Sequence, residues 1–291
     1  MSAEAVKEVG RRVLGGGKIA IVVLNYKTAE LTTECLESLE PEIDEALHVL
    51  VVDNDSPDGS ADVIEAEIRS RGWSSWARLI RSPVNGGFAA GNNIGIRAVE
   101  ADTYVLLNSD TIVLPGAISS LREALERFGD AGLIAPMLLN REGRQDENTF
   151  RFPHPLTELL RAARTGPISR LLSPWVTVLP MGESTGEPDW VGFACVAVRR
   201  EVIEQVGLLD EGFFMYYEDI DYCRRVRAAG WKILFWPESR IIHLQGASST
   251  INSSHTLRRR APRFYYEARS RYYTKYHGLT GLWVANALWN L

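Results

Sequence analysis

The sequence predicts an α/β protein with a Rossmann-like, mostly parallel sheet flanked by helices, and three observations predict it. Short runs rich in Val, Ile and Leu lack the alternation of a half-exposed strand, so both of their faces are covered. Segments of helical spacing separate these runs in the order of a doubly wound sheet. Polar clusters then fall at the C-terminal ends of the strands, where open α/β sheets bind ligands.

Residues 1–17 read as a flexible leader ending in Gly15-Gly16-Gly17. The first strand is Lys18–Leu24, closing on Asn25-Tyr26; a helix follows from about Ala29, with Leu31, Cys35, Leu36 and Leu39 at helical spacing, and Pro41 stops it. The second strand, Leu47–Val52, runs into Asp53-Asn54-Asp55-Ser56-Pro57-Asp58-Gly59-Ser60, which supplies cap residues for a helix from about Ala61. A short strand at Ala77–Arg81 precedes Asn85-Gly86-Gly87-Phe88 and a helix through Val99. The strand Thr103–Leu107 leads straight into Asn108-Ser109-Asp110. Residues 140–188, rich in charge and proline, read as a surface excursion. Order resumes with a strand-like 189–198, a helix at Arg200–Val206, a helix from Glu218, a strand at Trp231–Trp236 and a short extended piece ending at His243.

With 291 residues, 45% hydrophobic and 24% charged, the chain can bury a full core. Its net charge of −5 argues against a surface that binds nucleic acid throughout. The charge is uneven: from His255 onward seven Lys or Arg face the single acid Glu267. Three scattered cysteines, Cys35, Cys195 and Cys223, lack metal spacing and fit buried residues of a reducing compartment. No run of 18 apolar residues and no apolar signal core are present in the sequence, so the expectation is a cytoplasmic protein.

Four clusters could carry chemistry. Asn108-Ser109-Asp110 at a strand end could present hard oxygen ligands to Mg²⁺ or Mn²⁺, or simply cap a turn. Glu218, Asp219 and Asp221 place three acids at the start of a helix, beneath Phe213-Phe214-Met215-Tyr216-Tyr217. Acids there complement the helix dipole, yet their mutual repulsion raises a pKa and suits one of them to general-base work. His243 follows an apolar stretch, where a histidine is either a ligand or a hydrogen-bonded core residue. The glycines from Asn85 to Asn93 open a helix and could bring amides to a phosphate. Phe88 spoils a G-x-G-x-x-G pattern there, so a nicotinamide fold is disfavoured.

Taken in order, VVLNYK, VVDNDSPDGS, NGGFAAGNN, LLNSD, GFACVAVRR, YYEDIDYCRRVRAAGW and IIHLQGAS resemble the family-two inverting glycosyltransferases of GT-A fold, in particular their bacterial rhamnosyltransferase-like branch. The resemblance spans residues 18–250. It implies a nucleotide-sugar half at 18–112, an acceptor and catalytic half at 113–250, and a helical, basic and aromatic tail at 251–291. It implies that Asn25, Tyr26, Asp53 and Asn54 contact the nucleotide, and that Asn85, Gly87, Asn92 and Asn108 face the diphosphate and sugar. Asp110 and His243 match metal ligands, with Asn108 standing where the family's Asp-x-Asp motif has its first acid. Asp219 matches the catalytic base, with Glu218 and Asp221 beside it to orient it or to bind acceptor hydroxyls; Trp190 and Gly192 border the acceptor. The implied reaction moves a sugar from a nucleotide diphosphosugar to a glycan or lipid-linked glycan, assisted by a divalent cation. The branch suggests dTDP-L-rhamnose as donor, with a UDP-sugar as the alternative.

The tail, from Arg258-Arg259-Arg260 through Trp289, could lie on an anionic membrane surface, pack on the catalytic domain, or form a homodimer interface. Nothing in it resembles a nucleic-acid module. Two rival functions remain: a non-catalytic nucleotide-sugar-binding scaffold, favoured by Asn108, and a nucleotidyltransferase, disfavoured by the glycine-free turn Asn25-Tyr26-Lys27.

Overall fold

The computed structural model describes residues 17–158, 177–244 and 261–289, so the leader through residue 16 and Arg258-Arg259-Arg260 lie outside the described residues. Strands β1 (Ile19–Asn25), β2 (Leu47–Asp53), β3 (Ala77–Arg81) and β4 (Thr103–Asn108) lie parallel in the order β3-β2-β1-β4. The sheet continues through β9 (Cys195–Arg199), β6 (Ala131–Leu139), β10 (Lys232–His243) and β5 (Thr111–Val113). Of these, β6 and β10 are parallel to each other, whereas β9 runs against both β4 and β6, and β5 runs against β10. A second small sheet pairs β7 (Thr149–Phe150) with β8 (Trp190–Val191).

Alternate residues of β1 face opposite layers, as the two-residue period of a strand requires. Ile19, Ile21 and Val23 pack under α1 (Ala29–Leu39), α2 (Ser60–Ser70) and α4 (Ala117–Arg127). Ala20 and Val22 face α3 (Gly87–Arg97), α5 (Arg200–Val206) and α6 (Glu218–Ala228). The α3 layer sits very close to β1. A Cβ added at Gly91 would lie 2.3 Å from Leu24 Cδ1, and one at Gly95 would lie 2.4 Å from Val22 Cγ1. Part of the glycine cluster is therefore explained by helix-on-sheet packing and not by a phosphate.

Several boundaries differ from expectation. The strand-like stretch 189–198 is two strands in two sheets, because β8 leaves the main sheet to pair with β7 and Gly192–Ala194 turns the chain back. Of the excursion at 140–188, residues 159–176 lie outside the described residues; in the rest Leu179 N–H donates to Thr149 O, and Gly186 bridges to Phe235. Strand β10 is continuous across Pro237, with a register shift between Trp236 and Arg240 absorbing the proline. The two strands and the helix within 111–139, β5, β6 and α4, carry no motif that marks them in the sequence.

The tail forms α7 (Arg263–Trp289), broken at Gly278, whose φ is 66°. Its first part packs on α6 and the loop before it, burying Tyr265, Tyr272 and Tyr273 with Phe213, Tyr217 and Ile220. The cations described there are paired: Arg263 with Glu267, Arg269 with Glu158, Arg271 with Asp210, and Lys275 with Asp210 and Asp221. Much of the basic character of the tail is thus engaged within the chain. Past Gly278, Leu279 and Trp283 remain 67% and 75% exposed.

Candidate functional site

Four parallel strands end at one edge, and the loops leaving them build the site. Asn25 and Asp53 are register partners on β1 and β2, and Asn108 at the end of β4 pairs with Leu24 of β1. Asn25 is completely buried. Its amide donates to Asp53 Oδ1 (2.6 Å) and Ser56 Oγ, while its oxygen accepts from Thr28 and Thr32. With every polar atom engaged, Asn25 shapes the edge and does not face it. Tyr26 beside it is partly open, with Lys27 Nζ 5.1 Å from its ring centre.

Asn54 links the β2 loop to the glycine loop. Its Nδ2 donates to Asn85 Oδ1 and Gly87 O, each at 3.0 Å, and its Oδ1 accepts from Gly86 N–H. Asn85 Oδ1 also accepts from Gly87 N–H. Asn92 is buried, and its Nδ2 returns to Phe88 O; its Oδ1 has no hydrogen-bond partner. Gly87 has a positive φ of 82°, and a Cβ there would fall 2.0 Å from the Phe214 carbonyl oxygen. Only glycine fits this point, and its presence brings the loop ahead of α6 onto the start of α3.

Asp110 and His243 lie 133 positions apart in sequence. The antiparallel pairing of β5 with β10 sets Thr111 opposite His243, which places His243 Nε2 3.3 Å from Asp110 Oδ1. Asp110 is buried, and this oxygen has no other hydrogen-bond partner. A buried carboxylate oxygen beside an imidazole nitrogen fits a cation that takes one or two protein ligands and fills its shell with diphosphate oxygens. Among the described residues no group of three His, Cys, Asp or Glu could hold a metal without such help.

The three acids in the first turn of α6 differ in burial and in partners. Tyr216 and Tyr217 both hold positive φ (70° and 68°), a strained arrangement for aromatic residues, directly before Glu218. Glu218 is buried and one carboxylate oxygen lacks a partner; burial, then the neighbouring Asp219, pushes its pKa well above the ordinary value. Asp219 stays partly open to solvent. Burial on its other sides pushes its carboxyl up, to about 7, against the opposing effect of the Ile220 N–H that donates to it at 2.8 Å. Asp221 is completely buried and accepts from Arg225 Nε (2.9 Å), Tyr276 Oη (2.7 Å) and Lys275 Nζ (2.5 Å). Burial removes one of its two expected parts, binding an acceptor hydroxyl, because the carboxylate is enclosed by donors on α6 and α7 and is not exposed to an acceptor.

Trp190 stacks on Phe150 (4.3 Å between centres, 18° between planes) and donates from Nε1 to Arg151 O. Gly192 N–H reaches Asn148 Oδ1 at 3.1 Å, so both acceptor-side candidates belong to the β7–β8 corner. The three cysteines are buried, with thiols pushed up by burial (Cys35 to about 12), which leaves them unreactive.

Sequence reasoning missed several participants. Thr28 and Ser109 join the β1 and β4 loops through hydroxyls 2.9 Å apart, and the Phe214 carbonyl touches the glycine loop. Among the described residues the non-glycine positive-φ positions are Lys27, Asp55, Tyr216 and Tyr217. They follow β1 and β2 or precede α6, so backbone strain marks the same loops that the motifs mark.

Comparison with known proteins identifies the family and the fold. Residues 19–177 match the family model described as glycosyl transferase family 2. The chain is 26% identical over 245 residues to the N-acetylglucosaminyl-diphospho-decaprenol L-rhamnosyltransferase of Mycobacterium tuberculosis, covering 79% of this chain and 77% of that protein. It is 30% identical over 216 residues to the low-salt glycan biosynthesis hexosyltransferase Agl10 of Haloferax volcanii, covering 72% of this chain and 61% of the relative. Among solved structures, Staphylococcus aureus TarS 1-349 in complex with UDP-GlcNAc superposes with a TM-score of 0.61 at 13% identity, over 94% of this chain and 70% of that one. GalNAc-T7 with UDP, GalNAc and Mn²⁺ gives 0.60 at 13% identity, over 94% of this chain and 55% of that one. At such identity these two likenesses speak for the fold.

Proposed function

The chain belongs to glycosyl transferase family 2, and on that premise we propose that it is an inverting glycosyltransferase with Asp219 as general base. The observation that carries this is the placement of Asp219. It is a partly open carboxylate with a raised pKa, on a strained turn held against the glycine loop by Gly87 and Phe214. A base poised near neutrality suits proton abstraction from a sugar hydroxyl.

In the proposed reaction Asp219 accepts the acceptor hydroxyl's proton while that oxygen bonds to the anomeric carbon from the face opposite the diphosphate. The bond from carbon to diphosphate oxygen breaks, and the nucleoside diphosphate leaves. A single in-line displacement inverts the anomeric centre. Asp110 and His243 would hold the cation that neutralises charge on the departing diphosphate. Asp53, Asn54, Asn85, Gly87, Asn92 and Asn108, with Tyr26, would line the donor side, and Trp190 and Gly192 the acceptor side.

The rhamnosyltransferase relative favours L-rhamnose as the sugar and a lipid-linked diphosphate glycan as acceptor, with dTDP-L-rhamnose the donor that the motif resemblance implies, whereas the neighbour holding UDP-GlcNAc keeps a UDP-sugar as the second reading. Among the described residues no helix is long and apolar enough to cross a membrane. Exposed Leu279 and Trp283, on a stretch free of charged residues from Tyr276 to Leu291, support peripheral attachment to a bilayer that carries such an acceptor.

The test is release of nucleoside diphosphate from dTDP-, UDP- and GDP-sugars with Mn²⁺, Mg²⁺ or EDTA, with and without a lipid-linked glycan extract. Turnover of one donor, lost in EDTA and in Asp219→Asn, supports the reading. Pyrophosphate release would indicate nucleotidyl transfer, and tight donor binding without turnover in any mixture would indicate a scaffold.

A further inference from the structure

We infer that Lys275 and Tyr276, on the C-terminal helix, are positioning residues for the base: through Asp221 they fix the first turn of α6, where Asp219 sits. The inference rests on the reading of Asp219 as base and adds to it an element that lies beyond the span of the family motifs.

The argument starts from Asp221. A completely buried carboxylate is costly unless its charge is compensated, and here two of its three donors come from α7, some 55 residues later in sequence. Arg225, one turn along on α6, supplies the third but is itself tied to Val206 O and Leu208 O. Asp221 N–H in turn donates to Tyr217 O at 2.9 Å, which closes the turn that contains Glu218 and Asp219. Tyr217 holds its positive φ beneath the rings of Tyr272 (5.2 Å) and Tyr265 (6.0 Å), both on α7.

The same helix also secures the loop leading into the turn. Asp210 accepts from Arg271 at 2.9 Å and from Lys275 at 3.0 Å. Burial alone would raise its carboxyl; these cations outweigh that and take it down to about 2. Gly212 lies under the Arg271 guanidinium, where a Cβ would fall 2.3 Å from Arg271 Cζ. From 210 to 221, the segment carrying the base therefore meets α7 at its beginning, at its strained tyrosines and at Asp221. A strained turn persists only when its surroundings hold it, and α7 supplies much of that hold.

The experiment uses the full chain with Lys275→Met, Tyr276→Phe, their combination, and Lys275→Arg. Each is assayed for kcat, for donor affinity by titration, for thermal stability, and for amide hydrogen exchange of residues 217–222. Because small misplacements of reacting groups are costly, kcat should fall about tenfold to a hundredfold in the combined variant. Donor affinity should stay within about twofold, exchange at 217–222 should quicken while β1 and β2 stay protected, and Lys275→Arg should recover most of kcat. Unchanged exchange at 217–222, or a kcat that is the same in all variants of an active enzyme, overturns the positioning role. Loss of donor affinity in step with thermal stability overturns it too, because a merely structural helix would do that. A wild-type protein without transfer in any mixture instead counts against the base assignment, and the exchange measurement still decides the positioning.

Discussion

The amide of Phe88 donates to the carbonyl of Phe214 at 2.7 Å, directly over Gly87. This one bond joins the start of α3, which faces the donor diphosphate in the proposed reaction, to the loop that delivers Asp219. Donor loop and base are thereby held at a fixed separation.

Gly87→Ala should break that arrangement. The new Cβ would stand 2.0 Å from a backbone oxygen, which cannot yield as a side chain could, and the left-handed backbone adds about 1–2 kcal/mol of strain. Transfer should fall at least about a hundredfold, since alignment at the reacting centre is lost. Transfer kinetics beside a denaturant melt check this, and an active, stable variant would refute the close contact.

Asp219→Asn should abolish transfer, by about a thousandfold or more, while isothermal titration shows donor binding nearly unchanged. In the wild type, kcat/KM should rise through a limb centred near 7 as Asp219 loses its proton, then level off. A flat profile between pH 5 and 8 would place the base elsewhere.

Folding stability carries the opposite sign for the same acids. Glu218 has a pKa well above the ordinary value and Asp219 one of about 7 in the folded chain, so above the ordinary carboxylate range the folded state binds protons that the unfolded chain has released. Their contribution is therefore greatest at low pH and shrinks as pH climbs through neutrality. Glu218→Gln should flatten that decline in chemical-denaturation curves taken at several pH values; an unchanged slope would refute the buried, protonated state of Glu218.

Asp110→Ala and His243→Ala should each weaken Mn²⁺-dependent donor binding by at least about tenfold, because each removes one of the two ligands proposed for the cation. Equal donor affinity with and without Mn²⁺ in the wild type would remove the metal role from both.

Leu279→Asp combined with Trp283→Asp should cut sedimentation with anionic liposomes severalfold and leave donor turnover intact, as removal of exposed apolar anchors predicts. Equal sedimentation would leave this face for contact between two copies.

The sequence carried the parallel half of the sheet well. The runs at β1, β2 and β4 are covered on both faces and cannot be mistaken for exposed strands. The antiparallel β9 was visible as a strand, but its place between β4 and β6 depends on long-range pairing that no local pattern encodes. Within the site, residue types were legible and directions were not. Asn25 and Asp53 sit side by side at the strand ends, yet Asn25 turns its amide inward. Asp221 is two residues from Asp219, and at helical spacing two neighbours face apart, so one meets solvent and the other α7. For the arginines and tyrosines of α7 the sequence leaves membrane, packing and dimer readings open, because their partners, Asp210, Asp221 and Glu158, lie far away in the sequence.

The strand order has a consequence for how the protein is made. Strand β9 fills the gap between β4 and β6 but follows β6 by about sixty residues. At roughly 5–20 residues per second of synthesis, β4 and β6 emerge with unpaired edges several seconds before their shared partner exists. Such bare edges invite pairing between nascent chains. The antiparallel half of the sheet therefore closes only after most of the chain has been synthesised.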